Sequence, residues 1–292
     1  MRYTSLFILT VLCFGAALLL WRPDGEPSGG NNGKRSTITD GAFRYRLHTP
    51  DATVSLSKKL DEVSGLAYVK AHTLAMINDE EGLIFLWDTR TEEIVEEIDF
   101  GKSGDYEGIA VSGARAGGAN AYVLRSDGDV YRVANFLTRP QTEKYENPLR
   151  GDNDTEGLAY DPSRKNLLIV CKATGYVPGY ADSPKVLVYQ FSPSFPDKLV
   201  PFLTAEERTL RPSGLAIHPL TGHYYLLSSA DGLLTIFDDD NQLIQQSSLP
   251  KKLFPQPEGI CFLPDGTLYI ANEKKKDRAT LLQFNPHASA KP

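Results

Sequence analysis

Three glutamates stand directly before a glycine and a short apolar run, and their spacing makes them the best candidates for chemistry: Glu107, Glu156 and Glu258. Ser64 and Ser213 hold the same place in two further copies of the motif. If the five copies converge on one axis, three carboxylates repel one another unless they are protonated, hydrated or neutralised by a cation. Calcium accepts six to eight oxygen ligands in flexible geometry. The pattern therefore predicts a Ca²⁺ site. The alternative is structural: each glutamate accepts hydrogen bonds from backbone amides of the next repeat and sets the order of the repeats.

Two more carboxylates, Asp79 and Glu273, occupy matching places at the ends of the second strands of their repeats. Asp105 and Asp154 lie two residues before their glutamates and offer further oxygens. The predicted metal ligands are Glu107, Glu156, Glu258, Asp79 and Glu273. No catalytic residue is predicted, because the chain has no Ser-His-Asp order and no Gly-x-Ser-x-Gly elbow.

The glycines of the five motifs recur at intervals of about 43 to 57 residues, which is the period of a β-propeller blade. Each repeat reads as four short strands, continuously apolar in the inner strands and alternating in the outer one. Asp-Gly pairs between these strands are typical of hairpin turns, which need a positive φ. The sequence predicts an all-β chain whose residues 42–287 form a five-bladed β-propeller.

The last repeat supplies three strands before the chain ends, so its fourth strand must come from elsewhere. Phe43–His48 precedes the first repeat and is predicted to be that outer strand, which closes the ring and removes an open edge. A sixth blade needs a further motif, and Asp51–Leu60 is where a degenerate strand would lie. The repeated glycine is expected where inner strands converge, because a Cβ there would collide with the next blade.

The N-terminus has a positive start and an apolar run from Leu6 to Trp21, as in a secretion signal. Residues 1–22 are predicted to be a signal anchor or signal peptide, and residues 23–41 a flexible Gly/Pro/Asn-rich linker. An uncleaved anchor, a cleaved signal and lipidation at Cys13 remain open. Each places the domain outside the cytoplasm, in the cell envelope, membrane-anchored or secreted.

The composition excludes some partners. The formal net charge is −6 and basic residues are scattered, so no nucleic-acid partner is predicted. Cys171 and Cys261 fall in different blades, and a disulfide between them is not expected. The long insertion Lys172–Lys185, with two tyrosines on a Gly/Pro loop, is a candidate specificity loop.

The run Glu62-Val63-Ser64-Gly65-Leu66-Ala67-Tyr68, the later Ile77-Asn78-Asp79-Glu80 and the run Asp105-Tyr106-Glu107-Gly108-Ile109-Ala110 resemble the SdiA-regulated family of bacterial envelope proteins. The resemblance covers residues 62–284 and the N-terminal membrane segment. It implies a five-bladed propeller with a calcium site, no established activity, and a distant relation to NHL repeats that make protein contacts.

Two functions follow from these features. The first is a membrane-tethered, calcium-binding propeller that serves as an interaction module for an envelope protein or glycan. The second is a calcium-dependent hydrolase of phosphate esters or lactones, which needs an open metal position and a base. The lack of a nucleophile or an acid–base set favours binding over catalysis.

Overall fold

The computed structural model describes residues 37–41, 43–113, 118–149, 154–172, 185–205 and 210–288. These ranges hold strands, turns and one 3₁₀ turn at Lys58–Leu60, and no α-helix. Within them no helix has the length and apolar character needed to cross a bilayer. The predicted N-terminal membrane segment lies outside the described residues.

The chain begins its described part with three short strands and continues with five antiparallel groups. The first three are β1 (Thr37–Asp40), β2 (Phe43–Arg46) and β3 (Ala52–Ser55). Blade 1 contains β4 (Val63–Lys70), β5 (Thr73–Asn78), β6 (Leu83–Asp88) and β7 (Glu93–Asp99). Blade 2 contains β8 (Tyr106–Ser112), β9 (Asn120–Arg125), β10 (Val130–Ala134) and β11 (Gln141–Tyr145).

The remaining blades follow the same pattern. Blade 3 contains β12 (Thr155–Asp161), β13 (Asn166–Cys171), β14 (Lys185–Phe191) and β15 (Leu199–Ala205). Blade 4 contains β16 (Gly214–Ile217), β17 (Tyr224–Ser228), β18 (Leu233–Phe237) and β19 (Leu243–Ser248). Blade 5 contains β20 (Pro257–Phe262), β21 (Leu268–Asn272) and β22 (Thr280–Phe284), with β3 as its outer strand, and β23 (His287–Ala288) follows.

The five innermost strands β4, β8, β12, β16 and β20 contact one another in order, and β20 contacts β4. The described residues thus form a closed five-bladed propeller, as predicted. Strands β4, β8, β12, β16 and β20 all run from one end of the central shaft to the other. We call the end where these strands begin the narrow mouth and the end where they finish the wide mouth.

The closing strand comes from the N-terminal side, but not from the predicted segment. β3 pairs with β22 through Val54 opposite Leu281, whereas β2 pairs with β1 and β23 in a separate small sheet. The prediction that Phe43–His48 closes blade 5 was wrong. The apolar alternation of Phe43–His48 reflects the burial of Tyr45 against blades 4 and 5. Strand β3 lies at the rim, and its half-exposed and exposed side chains give only a weak apolar pattern.

The hydrophobic core lies between adjacent blades. Ala110 and Leu124 of blade 2, for example, pack with Leu158 and Ile169 of blade 3 in one buried cluster. Similar clusters join the other neighbouring blades. Blade-to-blade packing therefore holds the inner strands, and whatever stands at their ends, in one arrangement.

The repeated glycines sit where the blades converge. A Cβ built on Gly108 would lie 2.6 Å from the backbone nitrogen of Leu158, and one on Gly214 would lie 2.6 Å from the carbonyl oxygen of Glu258. Both distances are shorter than any ordinary contact, so side chains are excluded there. The equivalent positions in the other blades are similarly close to their neighbours: Gly65, Gly157 and Gly259. The predicted reason for the repeated glycine is confirmed.

Candidate functional site

The residue before the repeated glycine is the extra residue of a β-bulge in four blades. In blade 1, Val63 pairs with Asn78 and Gly65 pairs with Ile77, which leaves Ser64 without an opposite residue. A bulge turns a side chain away from the regular pleat and re-aims it. The same shift occurs in three other blades, at Glu107, Glu156 and Glu258.

These side chains gather at the narrow mouth. Ser64, Glu107, Ser213 and Glu258 line, with the glycine ring, a space of about 10 Å³, which is enough for one water molecule. Glu156 does not line this space, yet its charge raises the pKa of both Glu107 and Glu258. The structure therefore brings the three predicted glutamates to a single opening.

Glu107 carries the most perturbed carboxyl of the group. Burial, followed by the charges of Glu156, Asp105 and Glu258, raises the pKa of Glu107 to about 10, and a hydrogen bond with Asp105 adds to the shift. Without a cation beside it, the carboxyl of Glu107 is protonated at neutral pH.

Glu156 is buried and has a partner that the sequence analysis did not anticipate. The ammonium of Lys172 donates a hydrogen bond of 2.6 Å to Oε1 of Glu156. Burial raises the pKa of Glu156, and the hydrogen bond and charge of Lys172 oppose that rise. Lys172 follows the last residue of β13, and its backbone N–H donates to the carbonyl of Asp154. That contact holds it beside β12.

The pKa of Glu258 is raised less than that of Glu107. Burial and the charge of Glu156 raise the pKa of Glu258 to about 7, while the charge of Lys172 and the hydroxyls of Ser229 and Ser213 act in the opposite direction. The carboxyl of Glu258 is thus close to half-ionised at neutral pH.

Asp79 and Glu273 occupy equivalent places, as expected from the sequence. Each directly follows the second strand of its blade, and each donates its backbone N–H to the chain entering that blade, Asp79 to Glu62 and Glu273 to Gln256. Burial and the charges of Glu62, Glu80 and Asp105 raise the pKa of Asp79 to about 6.

Glu273 is linked to the same group of carboxyls. Burial, a hydrogen bond with Glu62, and the charges of Glu62, Glu258 and Asp79 raise the pKa of Glu273 to about 8. Gln256 also donates a side-chain hydrogen bond to Glu273. Because the charge of Glu258 acts on Glu273, the carboxyls of blades 1 and 5 belong electrostatically to the narrow mouth.

The oxygen atoms at this mouth are suitable ligands for a hard cation. Ser64 Oγ and Asp79 Oδ1 are buried and have no hydrogen-bond partner, which leaves two oxygens for an ion or water to satisfy. Hydroxyl, carboxylate and carbonyl oxygens are the ligands that Ca²⁺ prefers. Across the described ranges no group of three or more His, Cys, Asp and Glu side chains already has a geometry that holds a metal ion. A bound cation therefore requires carboxylates to move together or water to complete the ligand set.

Lys172 and Glu62 also belong to this site, although no sequence pattern predicts them as members. Lys172 is the first residue of the long insertion, and the one available signal is its position directly after a predicted inner strand. The remainder of the proposed specificity loop, residues 173–184, lies outside the described residues. In the described part of the chain Cys171 and Cys261 are both buried, in blades 3 and 5.

Comparison with known proteins places the chain in a family. The family model described as SdiA-regulated matches residues 41–275. The chain belongs to the SdiA-regulated family. The match spans nearly the whole propeller, including the glutamate and serine positions of the narrow mouth.

Solved structures add a likeness of fold. This member of the SdiA-regulated family superposes on a glutaminyl cyclase from Myxococcus xanthus with a TM-score of 0.60 at 13% identity, over 83% of this chain and 97% of that chain. It also matches virginiamycin B lyase from Staphylococcus aureus with a TM-score of 0.47 at 10% identity, over 82% of this chain and 74% of that chain. At such identities the likeness to the cyclase is one of fold alone. No curated protein sequence matches the chain closely enough to count as a relative.

Proposed function

We propose that this propeller is an interaction module of the cell envelope, tethered to the membrane outside the cytoplasm, which binds a protein or glycan and holds Ca²⁺ at its narrow mouth. The observation that carries the calcium part is the accumulation of buried Glu156 and half-buried Glu107 and Glu258, all with raised pKa values, beside one ammonium. Buried carboxylates are stable only when they are protonated or paired with a positive charge.

The residues that would hold the ion follow from their positions. Glu107, Glu258 and Ser64 line the innermost space, and Asp79 and Glu273 stand further out, on blades 1 and 5. The bound ion would supply the positive charge that lets these carboxyls ionise together. Because they come from blades 1, 2 and 5, the same ion would join three blades around the mouth and stiffen that face.

Geometry supports binding over catalysis. The space between Glu107 and Glu258 admits about one water molecule, so a partner would contact the face of the propeller and not enter the shaft from this end. The predicted membrane segment of residues 1–22, the predicted linker of residues 23–41 and the family membership support a place in the envelope. Loops on one face of a rigid scaffold are where recognition residues concentrate.

Thermal unfolding of the purified chain with Ca²⁺ or with a chelator tests the calcium part. At a free Ca²⁺ concentration about a hundredfold above the Kd, the ion should add about 2.7 kcal/mol of stability. The double substitution Glu107→Gln, Glu258→Gln should remove this difference. Glu96→Gln, on the exposed outer strand β7, is the matched control and should retain it. An unchanged midpoint for the unsubstituted chain refutes the calcium site.

The interaction part needs a separate experiment. The full chain is expected in the membrane fraction after an alkaline wash, and its propeller should be cleaved by protease added outside intact cells. Purified protein should bind one component of an array of envelope glycans and proteins saturably. The binding should fall in the Glu107→Gln, Glu258→Gln variant but not in Glu96→Gln. Recovery from the cytoplasm, or no saturable binding to any component, counts against the module.

One observation favours the hydrolase as a second candidate. Glu273 stands further out at the narrow mouth and its pKa is raised to about 8, which suits a general base near neutral pH. Turnover of generic phosphate esters or lactones that is lost with chelator and with Glu273→Gln would support this candidate. Equal rates with and without chelator would leave the binding module as the function.

A further inference from the structure

The wide mouth opens into a cavity of about 1140 Å³ to which all five blades contribute. Its floor is formed by the residue after each repeated glycine: Leu66, Ile109, Leu158, Leu215 and Ile260. These same residues border the small space below the glutamates, where the glycine ring leaves room for about one water molecule. The cavity, which we call the cup, is therefore a site separate from the acidic mouth.

The walls of the cup follow a repeated register. The second residue after each glycine is small, and all five are at most 7% exposed: Ala67, Ala110, Ala159, Ala216 and Cys261. The third is large and apolar or aromatic: Tyr68, Val111, Tyr160, Ile217 and Phe262. Small side chains near the floor keep the shaft open, and large ones above them form an apolar wall. A mainly apolar surface of this depth is typical of small-molecule sites.

The most buried charged and polar groups of the lining are already satisfied within the protein. Asp161 accepts hydrogen bonds from Ser163 and from Arg164, and the same Arg164 nitrogen lies 2.6 Å from the hydroxyl of Tyr224. An ionic ligand beside these groups would have to break this pair or remain without a partner there, which costs free energy.

Both ring nitrogens of His218 likewise have partners within the protein. Its Nδ1 accepts the backbone N–H of Thr221, and its Nε2 lies 2.8 Å from the hydroxyl of Tyr45. Exposed Lys70 and Asp239, one positive and one negative, also lie along the lining. The cup therefore offers no net charge from these groups to a molecule within it.

Two tyrosines supply the polar contacts. Tyr68 and Tyr160 are half-buried in the wall, and among the described residues their hydroxyls have no hydrogen-bond partner. The ring of Tyr160 lies parallel to that of Tyr122, with 6.5 Å between centroids and 6° between planes. A ring held in this way presents a fixed aromatic surface and a free hydroxyl to the cup.

We propose that the cup binds one uncharged, ring-bearing organic molecule, which packs on the apolar wall and bonds to the hydroxyls of Tyr68 and Tyr160. The site goes beyond the calcium-dependent module, because its wall residues and its two tyrosines are distinct from the carboxyls of the narrow mouth. Its size suits a molecule of several fused or linked rings.

A pair of fluorescent probes tests the proposal on the unsubstituted full chain. N-phenyl-1-naphthylamine is uncharged, and 8-anilino-1-naphthalenesulfonate carries the same ring system with a sulfonate. The neutral probe should bind saturably, one per chain, with a Kd at least tenfold lower than that of the sulfonate. Absence of saturable binding, or equal affinity for the two probes, overturns the proposal.

A matched pair of variants locates the probe. Val111→Glu places a charge on the half-buried wall and should weaken binding of the neutral probe at least tenfold. Val95→Glu places the same charge on β7, where Val95 is 57% exposed, and should leave binding unchanged. If both variants weaken binding equally, or if neither weakens it while both stay folded, the cup is not the site. Binding of the neutral probe should be the same with Ca²⁺ and with chelator, so a failure of the calcium proposal leaves this result unaffected.

Discussion

The ammonium of Lys172 lies 2.6 Å from the carboxylate of Glu156, whose side chain is 7% exposed while that of Lys172 is 40% exposed. Burial alone lowers the pKa of Lys172. The hydrogen bond and the charge of Glu156 outweigh this effect and raise the pKa above its usual value, so the lysine stays charged. The charges of Asp154 and Glu258 act on Lys172 in the same direction. The protein thus carries an internal cation at the mouth where we propose an external one.

Replacing Lys172 by methionine should therefore make the mouth more dependent on an added cation. The change leaves Glu156 buried without a partner, a loss that costs about 3 to 5 kcal/mol in a fully buried pair. Because Lys172 is partly exposed, we expect about 1 to 2 kcal/mol in chelator. Calorimetric titration should show Ca²⁺ binding several-fold more tightly to Lys172→Met than to the unsubstituted chain.

Lys102→Met is the control for this experiment. Lys102 is an exposed lysine in the loop between blades 1 and 2, so the substitution removes the same charge and keeps the pair of Lys172 with Glu156. Its stability and Ca²⁺ affinity should stay close to those of the unsubstituted chain. Equal affinities in all three proteins would show that Lys172 does not compete with the ion.

The fold was predictable because its strongest constraint acts directly on residue type. A glycine such as Gly108 is required wherever a Cβ would strike the next blade, so the periodicity of the ring is visible in the sequence. The partner of Glu156 was not visible, since it depends on register: Cys171 pairs with Thr155, and the bulge at Glu156 then brings Lys172 beside it. A bulge has no residue signature of its own in these strands.

The closing strand shows the same limit. The strong alternation of apolar and polar residues in Phe43–His48 predicts an outer strand of blade 5. In the structure this alternation reflects the packing of Tyr45 outside the blade. The true strand, Ala52–Ser55, has partly exposed side chains and is held by backbone pairing with β22. Backbone hydrogen bonding at a rim leaves little trace in side-chain pattern.

The glycine ring predicts a large cost for a single methyl group. Gly108→Ala places a Cβ 2.6 Å from the backbone nitrogen of Leu158, so two blades must separate. Overpacking of this kind costs about 1 to 3 kcal/mol, and urea unfolding should show that loss.

Gly118→Ala is the matched substitution. A Cβ there meets its nearest atom, the side-chain oxygen of Asn135, at an ordinary 3.6 Å. The free energy of unfolding should therefore change by less than about 0.5 kcal/mol. A Gly108→Ala protein as stable as Gly118→Ala would mean that the ring tolerates a wider shaft.

The carboxyls of the narrow mouth predict a pH dependence of known sign. The pKa of Glu107 is raised to about 10 and that of Glu258 to about 7 in the folded protein, from a usual value of 4.5. The folded state then holds more protons than the unfolded state above pH 4.5, so stability falls as pH rises. The stabilising effect is complete below about pH 4.5. It is lost through pH 7 for Glu258 and through pH 10 for Glu107.

Urea unfolding between pH 5 and 9 in chelator checks this prediction. The free energy of unfolding should fall across that range, by at most about 1.4 kcal/mol per pH unit for each proton released. Glu258→Gln should flatten the slope near pH 7, because a neutral amide has no proton to lose. Ca²⁺ should also flatten it, since the ion favours the ionised carboxyls of the folded protein. A free energy of unfolding that rises from pH 5 to 9 would contradict the raised pKa values.

A buried contact of the small sheet of β1, β2 and β23 is expected to contribute to stability. Asp40 is fully buried and accepts hydrogen bonds from the hydroxyls of Thr221 and Tyr225, each at 2.8 Å. Its other oxygen lies 2.5 Å from Nδ1 of His223. These bonds join β1, which lies at the end of the predicted linker of residues 23–41, to blade 4. Asp40→Ala leaves three buried or half-buried polar groups without their acceptor, at a cost of about 2 to 4 kcal/mol.

Asp239→Ala separates this effect from a general loss of negative charge. Asp239 is exposed on the turn after β18, so its removal should leave stability within about 0.5 kcal/mol of the unsubstituted chain. Hydrogen exchange should show that Asp40→Ala loosens β1 and β2 before the blades, because β3 closes blade 5 independently of them. If exchange instead rises equally in all five blades, the small sheet is part of the cooperative core and not a separate attachment.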